Sequence, residues 1–181
     1  MAKTQSQMRL RDFSRSLPMS LLKAREAVMS HFRPSLNHFG ITEQQWRVLR
    51  ALSAVDSIEV MALADRTFLL PPSLSRILKD LDERGLIVRR TSQTDLRRGL
   101  VSISARGREL IDKVGVHSEA VYSQITERYG TEKLARLQNM LHDLETMLAA
   151  PMEAAALPER GGKKGRGTAS RRKAANGKHA P

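Results

Sequence analysis

The 181-residue chain contains no cysteine. That excludes a disulfide framework, a thiolate nucleophile and a thiol redox switch. Long apolar runs are also missing; none reaches the ~18 or more residues that a spanning helix needs. The first residues, MAKTQSQMRLRDFSRSL, lack the apolar segment of a secretory leader, so a cytoplasmic protein is expected. The five histidines are scattered without metal-ligand spacing, and no nucleophile–base pair or phosphate-cradling glycine loop is evident. No enzyme, no metal and no cofactor is expected.

Acid is missing from one region only. Residues 160–181 hold eight of the 31 lysines and arginines and none of the 19 acidic side chains. Two thirds of the +12 formal charge therefore sits in the last 22 residues, RGGKKGRG…SRRK…GKH. Without apolar periodicity, residues 151–181 are expected to be a disordered basic tail, either a phosphate tether or a solvated end. The remainder fits one domain of about 150 residues. Any case for nucleic acid must rest on where its arginines lie.

What is present is mostly helical periodicity. A loose arm is expected over 1–13, then a helix from Ser14 to about His38. Leu17, Leu21, Val28 and Phe32 share its apolar face, Pro18 lies in its first turn, and Pro34 bends or ends it. Thr42 and Gln45 form a capping box for a helix running to about Val55, with Trp46, Leu49, Leu52 and Val55 on one side. A short helix is expected near Glu59–Phe68, and another over Ser73–Arg84 with Leu74, Ile77, Leu78 and Leu81 inward. Two β-like runs follow, Leu86–Thr91 and Leu100–Ser104. Ser104 then caps a long helix from Ala105 to about Tyr129, whose Gly107 and Gly115 argue against perfect continuity. A last helix from Thr131 carries Leu134, Leu137, Leu141, Leu144 and Leu148 at heptad-like spacing.

Helix then basic hairpin is the order of a winged helix-turn-helix. The fold class is thus mainly α, a winged helix-turn-helix over 41–104 flanked by dimerisation helices over 14–40 and 105–150. On the helix after the two prolines, the exposed set is Pro71, Pro72, Ser73, Ser75, Arg76, Lys79 and Asp80. Arg76 can present its fork to guanine, a proline can touch a thymine methyl, and the helix N-terminus favours phosphate. The hairpin offers Arg89, Arg90, Asp95, Arg97 and Arg98, with Arg97 or Arg98 as the minor-groove finger and Asp95 orienting it. The expected partner is double-stranded DNA. Leu17, Leu21 and the leucine seam at 134–148 point to a homodimer on a pseudo-palindromic operator, although that seam could instead pack within its own chain. A ligand-blind architectural DNA binder and a winged-helix protein-interaction module stay open as alternatives.

The segments SLSRILKDLDERGLIVRR and TDLRRGLVSISARG together resemble the multiple antibiotic resistance regulator (MarR) family over roughly residues 14–150. Within it, SLPMSLLKAREAVMSHFRPSL, GITEQQWRVLRAL and LLPPSLSRILKDLDERGLI are similar to regulators of homoprotocatechuate-degradation operons. The basic tail has no lipidation site or amphipathic partner beside it, so no membrane role is expected. The resemblance implies a dimeric repressor of genes for 4-hydroxyphenylacetate or homoprotocatechuate breakdown, released by a small aromatic carboxylate. A cleft for such an effector needs an apolar floor and a cationic end. Met19, Phe39 and Trp46 are floor candidates, and Arg15, Arg25, His38 and Arg50 are candidate anchors. Trp46 could equally be core, and the arginines surface ion pairs.

Overall fold

A computed structural model describes residues 12–91 and 99–150. The Asp12 carboxylate accepts from Ser14 N (2.7 Å) and caps a single 3-10 turn, Phe13–Arg15. The first helix, α1, spans Leu17–His38 and so starts three residues later than Ser14. Pro34 does not end it. Phe32 and Leu36, on either side of the proline, are both buried, and their packing carries the helix past the missing N–H. Gly40 then stops it at φ +65°, with Ile41 N bonded to Leu36 O (3.0 Å) and Gly40 N to Asn37 O (3.0 Å), a Schellman ending.

Helix α2 is Glu43–Ser53. Its capping box is present, with Gln45 N donating to Thr42 Oγ1 and Thr42 N donating to Gln45 Oε1. It ends two residues before Val55. The strand β1, Ile58–Glu59, was illegible in the sequence because two residues show no period; it pairs with the hairpin and delays the next helix, α3, to Val60–Thr67. Helix α4 is Pro71–Glu83, so the prolines occupy its first turn and Ser73 does not begin it. It closes as α1 does: Gly85 has φ +65°, Leu86 N bonds Leu81 O (2.9 Å) and Gly85 N bonds Asp82 O (2.8 Å).

Strands β2 (Ile87–Thr91) and β3 (Gly99–Ile103) run antiparallel from Ile87↔Ile103 to Thr91↔Gly99, giving the sheet order β1-β3-β2. Helix α5 covers Ala105–Tyr129 without a break, and Ser104 Oγ accepts from Gly107 N (2.9 Å) as expected. Gly107 is there for proximity rather than flexibility. A Cβ at that position would lie 2.1 Å from Leu86 O, so only glycine lets α5 lie against the base of the hairpin. Helix α6 is Thr131–Ala149.

The main core joins Leu49, Leu52, Leu63, Leu74, Leu78 and Leu81 to Ile87, Val101 and Ile103, locking α2, α3 and α4 onto the hairpin. A second cluster holds Phe32, Leu36, Ile41 and Val114, with Met29, Val121 and Ile125 packed on it. Ile111 and Ser118 are buried on α5. The expected burial of Leu17, Leu21 and Val28 is not met within one chain, since they are 51%, 39% and 42% exposed. The reason is that α1 is anchored to this core through its C-terminal half. The chain divides into two units, Met1–Arg136 and Leu137–Pro181. In the second, Leu137, Leu141 and Leu148 are exposed.

Candidate nucleic-acid interface and effector cleft

Burial fixes α4 in rotation. Leu74, Ile77, Leu78 and Leu81 are its inward stripe, so Pro71, Pro72, Ser73, Ser75, Arg76 and Lys79 all face outward and are exposed. Among the described residues Arg76 has neither a hydrogen bond nor an ion pair, so its fork is available. Lys79 makes only a long exposed contact with Glu83 (3.8 Å), which constrains it little.

The Asp80 side chain is half exposed, as expected, but it is engaged: it accepts from Gln45 Nε2 (2.7 Å) and Arg84 Nη1 (3.4 Å) and ties α4 to α2. The helix N-terminus is a poorer phosphate cradle than expected. Its first two residues are prolines with no N–H, and Leu74 N is bonded to Leu70 O (3.0 Å), which leaves the Ser73 N–H.

Arg89 and Arg90 lie on β2 opposite Val101 and Leu100, and both are exposed. Adjacent strand residues point to opposite faces, so the two cannot serve the same DNA contact. Asp95, Arg97 and Arg98 lie outside the described residues.

Between α1, α2 and α5 lies a cleft of about 480 Å³ lined by Arg25, Val28, Met29, Phe32, Glu43, Trp46, Arg47, Arg50, Phe68 and Tyr122. Its floor is aromatic: the Phe32 and Tyr122 rings meet edge-on at 5.0 Å, and the Arg50 guanidinium stands 5.9 Å from the Trp46 ring centre. The half-buried Trp46 also packs against both core clusters, so its core and cleft readings hold together. Of the seven anticipated effector residues, the cleft gathers Arg25, Trp46 and Arg50. Arg15, Met19, His38 and Phe39 do not line it; Phe39 stacks instead between His38 (5.1 Å) and His117 (5.5 Å). The sequence reading missed Arg47, Phe68 and Tyr122. Arg47 and Arg50, one turn apart and just after Trp46, were the available signal, whereas Tyr122 comes from a distant helix and gave none.

The cleft's acidic edge is an ion-pair cluster. Arg25 donates to Glu26 (2.5 Å) and Glu43 (2.5 Å), and Arg33 donates to the same two carboxylates, bolting α1 to the start of α2. Removal from water would raise the Glu43 carboxyl. Hydrogen bonds from Arg33 and Arg25 outweigh that and hold it below its ordinary value of 4.5. A carboxyl depressed in the folded state contributes stability that is complete above about pH 4.5 and is lost as the pH falls through its lowered value. Glu43→Gln is therefore expected to lower Tm at neutral pH, with the difference from the parent shrinking as the pH drops below about 4.5. Thermal melts across pH check this; a constant difference would remove the cluster from the account.

An outward helix behind a helix-turn of two short helices, a basic hairpin, and a cationic aromatic cleft beside them define a winged helix-turn-helix transcriptional regulator. The MarR family pattern matches residues 39–98. The chain is 37% identical to the transcriptional regulator FarR of Neisseria gonorrhoeae over 71% of this chain and 88% of that one. It is also 37% identical to the homoprotocatechuate degradative operon repressor of Escherichia coli, over 71% and 86%. The structure of NadR in complex with 4-hydroxyphenylacetate superposes with a TM-score of 0.66 at 36% identity, covering 76% of this chain and 97% of that chain. The chain belongs to the MarR family.

Proposed function

We propose that this protein is a cytoplasmic, homodimeric repressor of genes for aromatic-acid breakdown, released from its operator by a small aromatic carboxylate such as 4-hydroxyphenylacetate. The observation that carries the reading is the cleft: an aromatic floor suits a phenyl ring, and the guanidiniums of Arg47 and Arg50, which have no carboxylate partner among the described residues, suit a carboxylate. Each lobe places α4 in a major groove, with Ser73, Ser75 and Arg76 towards the bases and Lys79 towards phosphate, while Arg97 or Arg98 enters the minor groove. The exposed apolar side chains of Leu17, Leu21, Leu22 and Val28 on α1, and of Leu137, Leu141 and Leu148 on α6, supply the dimer contact. The relatives' repressor and 4-hydroxyphenylacetate-bound descriptions support the same reading.

Trp46 is the sole tryptophan, so its fluorescence reports the cleft directly. Titration with 4-hydroxyphenylacetate is expected to saturate, and Arg50→Ala to weaken that binding by about tenfold to a hundredfold through loss of a charged hydrogen bond. A flat wild-type titration with both 4-hydroxyphenylacetate and homoprotocatechuate would contradict the effector assignment.

A further inference from the structure

Three helices end in the same backbone motif, and one uses the wrong residue for it. Helices α1 and α4 place Gly40 and Gly85 in the left-handed position. Helix α3 places Phe68 there, at φ +52°, the one non-glycine residue with positive φ among the described residues. The motif is otherwise complete, with Leu69 N bonded to Ala64 O (3.1 Å). A bulky aromatic in this conformation is strained, because its Cβ crowds the backbone. Core packing does not explain the choice, because Phe68 is 83% exposed. Its ring sits at the rim of the cationic cleft on one side and lines a shallow groove with Leu69, Leu70 and Pro71, the start of α4, on the other.

The preceding residue is tied to the same cleft. Arg47 donates from Nη1 to Thr67 O (3.0 Å), a carbonyl left without an intrahelical partner at the end of α3. The other end of Thr67 is fixed, since its fully buried hydroxyl donates to Leu63 O (2.6 Å). The three cleft arginines are thus engaged differently. Arg25 is neutralised by two carboxylates, Arg50 stands by the Trp46 ring, and Arg47 is held by an uncharged carbonyl. A carboxylate forms a stronger hydrogen bond with guanidinium than a peptide carbonyl does.

We propose that Arg47 and Phe68 form a latch that passes occupancy of the cleft to α4, an inference that rests on the effector reading above. Arg47 holds the Thr67 carbonyl next to the strained Phe68 turn, three residues before Pro71 opens the DNA-reading helix. An aromatic carboxylate takes Arg47 from Thr67 and presses its ring against Phe68. The turn relaxes, and the start of α4 moves out of register with the groove. In this scheme Arg47 and Phe68 touch the effector, and neither touches DNA. The latch gives the effector the differential affinity for two states that any such shift requires.

The test measures two quantities on each full-length variant: Trp46 fluorescence against 4-hydroxyphenylacetate, and affinity for a selected operator duplex with and without saturating compound. In the wild type the compound is expected to weaken DNA binding by roughly tenfold or more. In Arg47→Gln the Trp46 titration still saturates, at higher concentration, but the effect on DNA falls to about twofold or less. In Phe68→Gly, which relieves the backbone and keeps the fold should Arg47→Gln not fold, Tm does not fall and the effect on DNA is likewise reduced. Wild-type coupling in a saturated Arg47→Gln, or in Phe68→Gly, would overturn the latch and leave the effector reading standing. Loss of all binding in Arg47→Gln would make Arg47 an anchor and also overturn the latch. A wild type that never saturates would overturn both.

Discussion

Arg76→Ala is expected to weaken binding to the specific operator by about 2–6 kcal/mol, since a bidentate arginine–guanine pair is worth about 1–3 kcal/mol and a dimer carries two. That is at least roughly thirtyfold in Kd. The fold should not change, because Arg76 is exposed on α4 and has no hydrogen bond or ion pair among the described residues. Binding to unrelated duplex, which depends on phosphate contacts, should change little. Competition binding at fixed salt, with circular dichroism on the same samples, separates these effects. An unaltered specific Kd would remove Arg76 from base reading and shift the burden to Ser73 and Ser75.

The second large effect is structural and reaches function through the hairpin. Gly107→Ala puts a methyl group 2.1 Å from Leu86 O and 2.7 Å from Ile103 Cγ1. Neither neighbour can swing away, since the Leu86 oxygen is backbone that also accepts from Ser104 N (3.1 Å), and Ile103 is 3% exposed in the core. Overpacking of this kind costs about 1–3 kcal/mol or more, a fall of roughly 2–4 °C in Tm per kcal/mol at this chain length. The displaced hairpin base also shifts the hairpin against α4, so DNA binding should fall beyond the loss of stability. Gly115→Ala is the matched control. A Cβ there meets nothing within 4 Å in the same helix, and the better helix former should raise stability by about 0.5–1 kcal/mol. Equal melting temperatures for the two variants would show that the α5–hairpin contact is looser than described.

These two sites also show what a linear reading can and cannot supply. The stripe on α4 was legible because four leucines and isoleucines at helical spacing leave one side for Arg76. The Thr42–Gln45 box and the Ser104 cap were legible because their chemistry is local. Gly107 was misread as a weak point, because its purpose lies in Leu86, 21 residues away in the chain. The cleft was half legible for the same reason. Trp46 and Arg50 share a helix turn, but Tyr122 and Phe68 join them only once α3 and α5 are packed. The tie between Asp80 and Gln45 was illegible because the two lie 35 residues apart. Leu17 and Leu21 were assigned to a buried face by periodicity alone, and periodicity does not say whether the covering surface belongs to the same chain or to a second copy. The left-handed Phe68 could not be foreseen, since glycine is the residue that announces such a turn.

Selection of bound duplexes from a random pool by the full-length protein, repeated with 4-hydroxyphenylacetate or homoprotocatechuate present, bears most directly on a dimeric, effector-released reader of DNA. The expected outcome is one enriched inverted repeat with half-sites about one helical turn apart, depleted when either compound is added. Enrichment of no discrete sequence, or an asymmetric single half-site unaffected by both compounds, would contradict it.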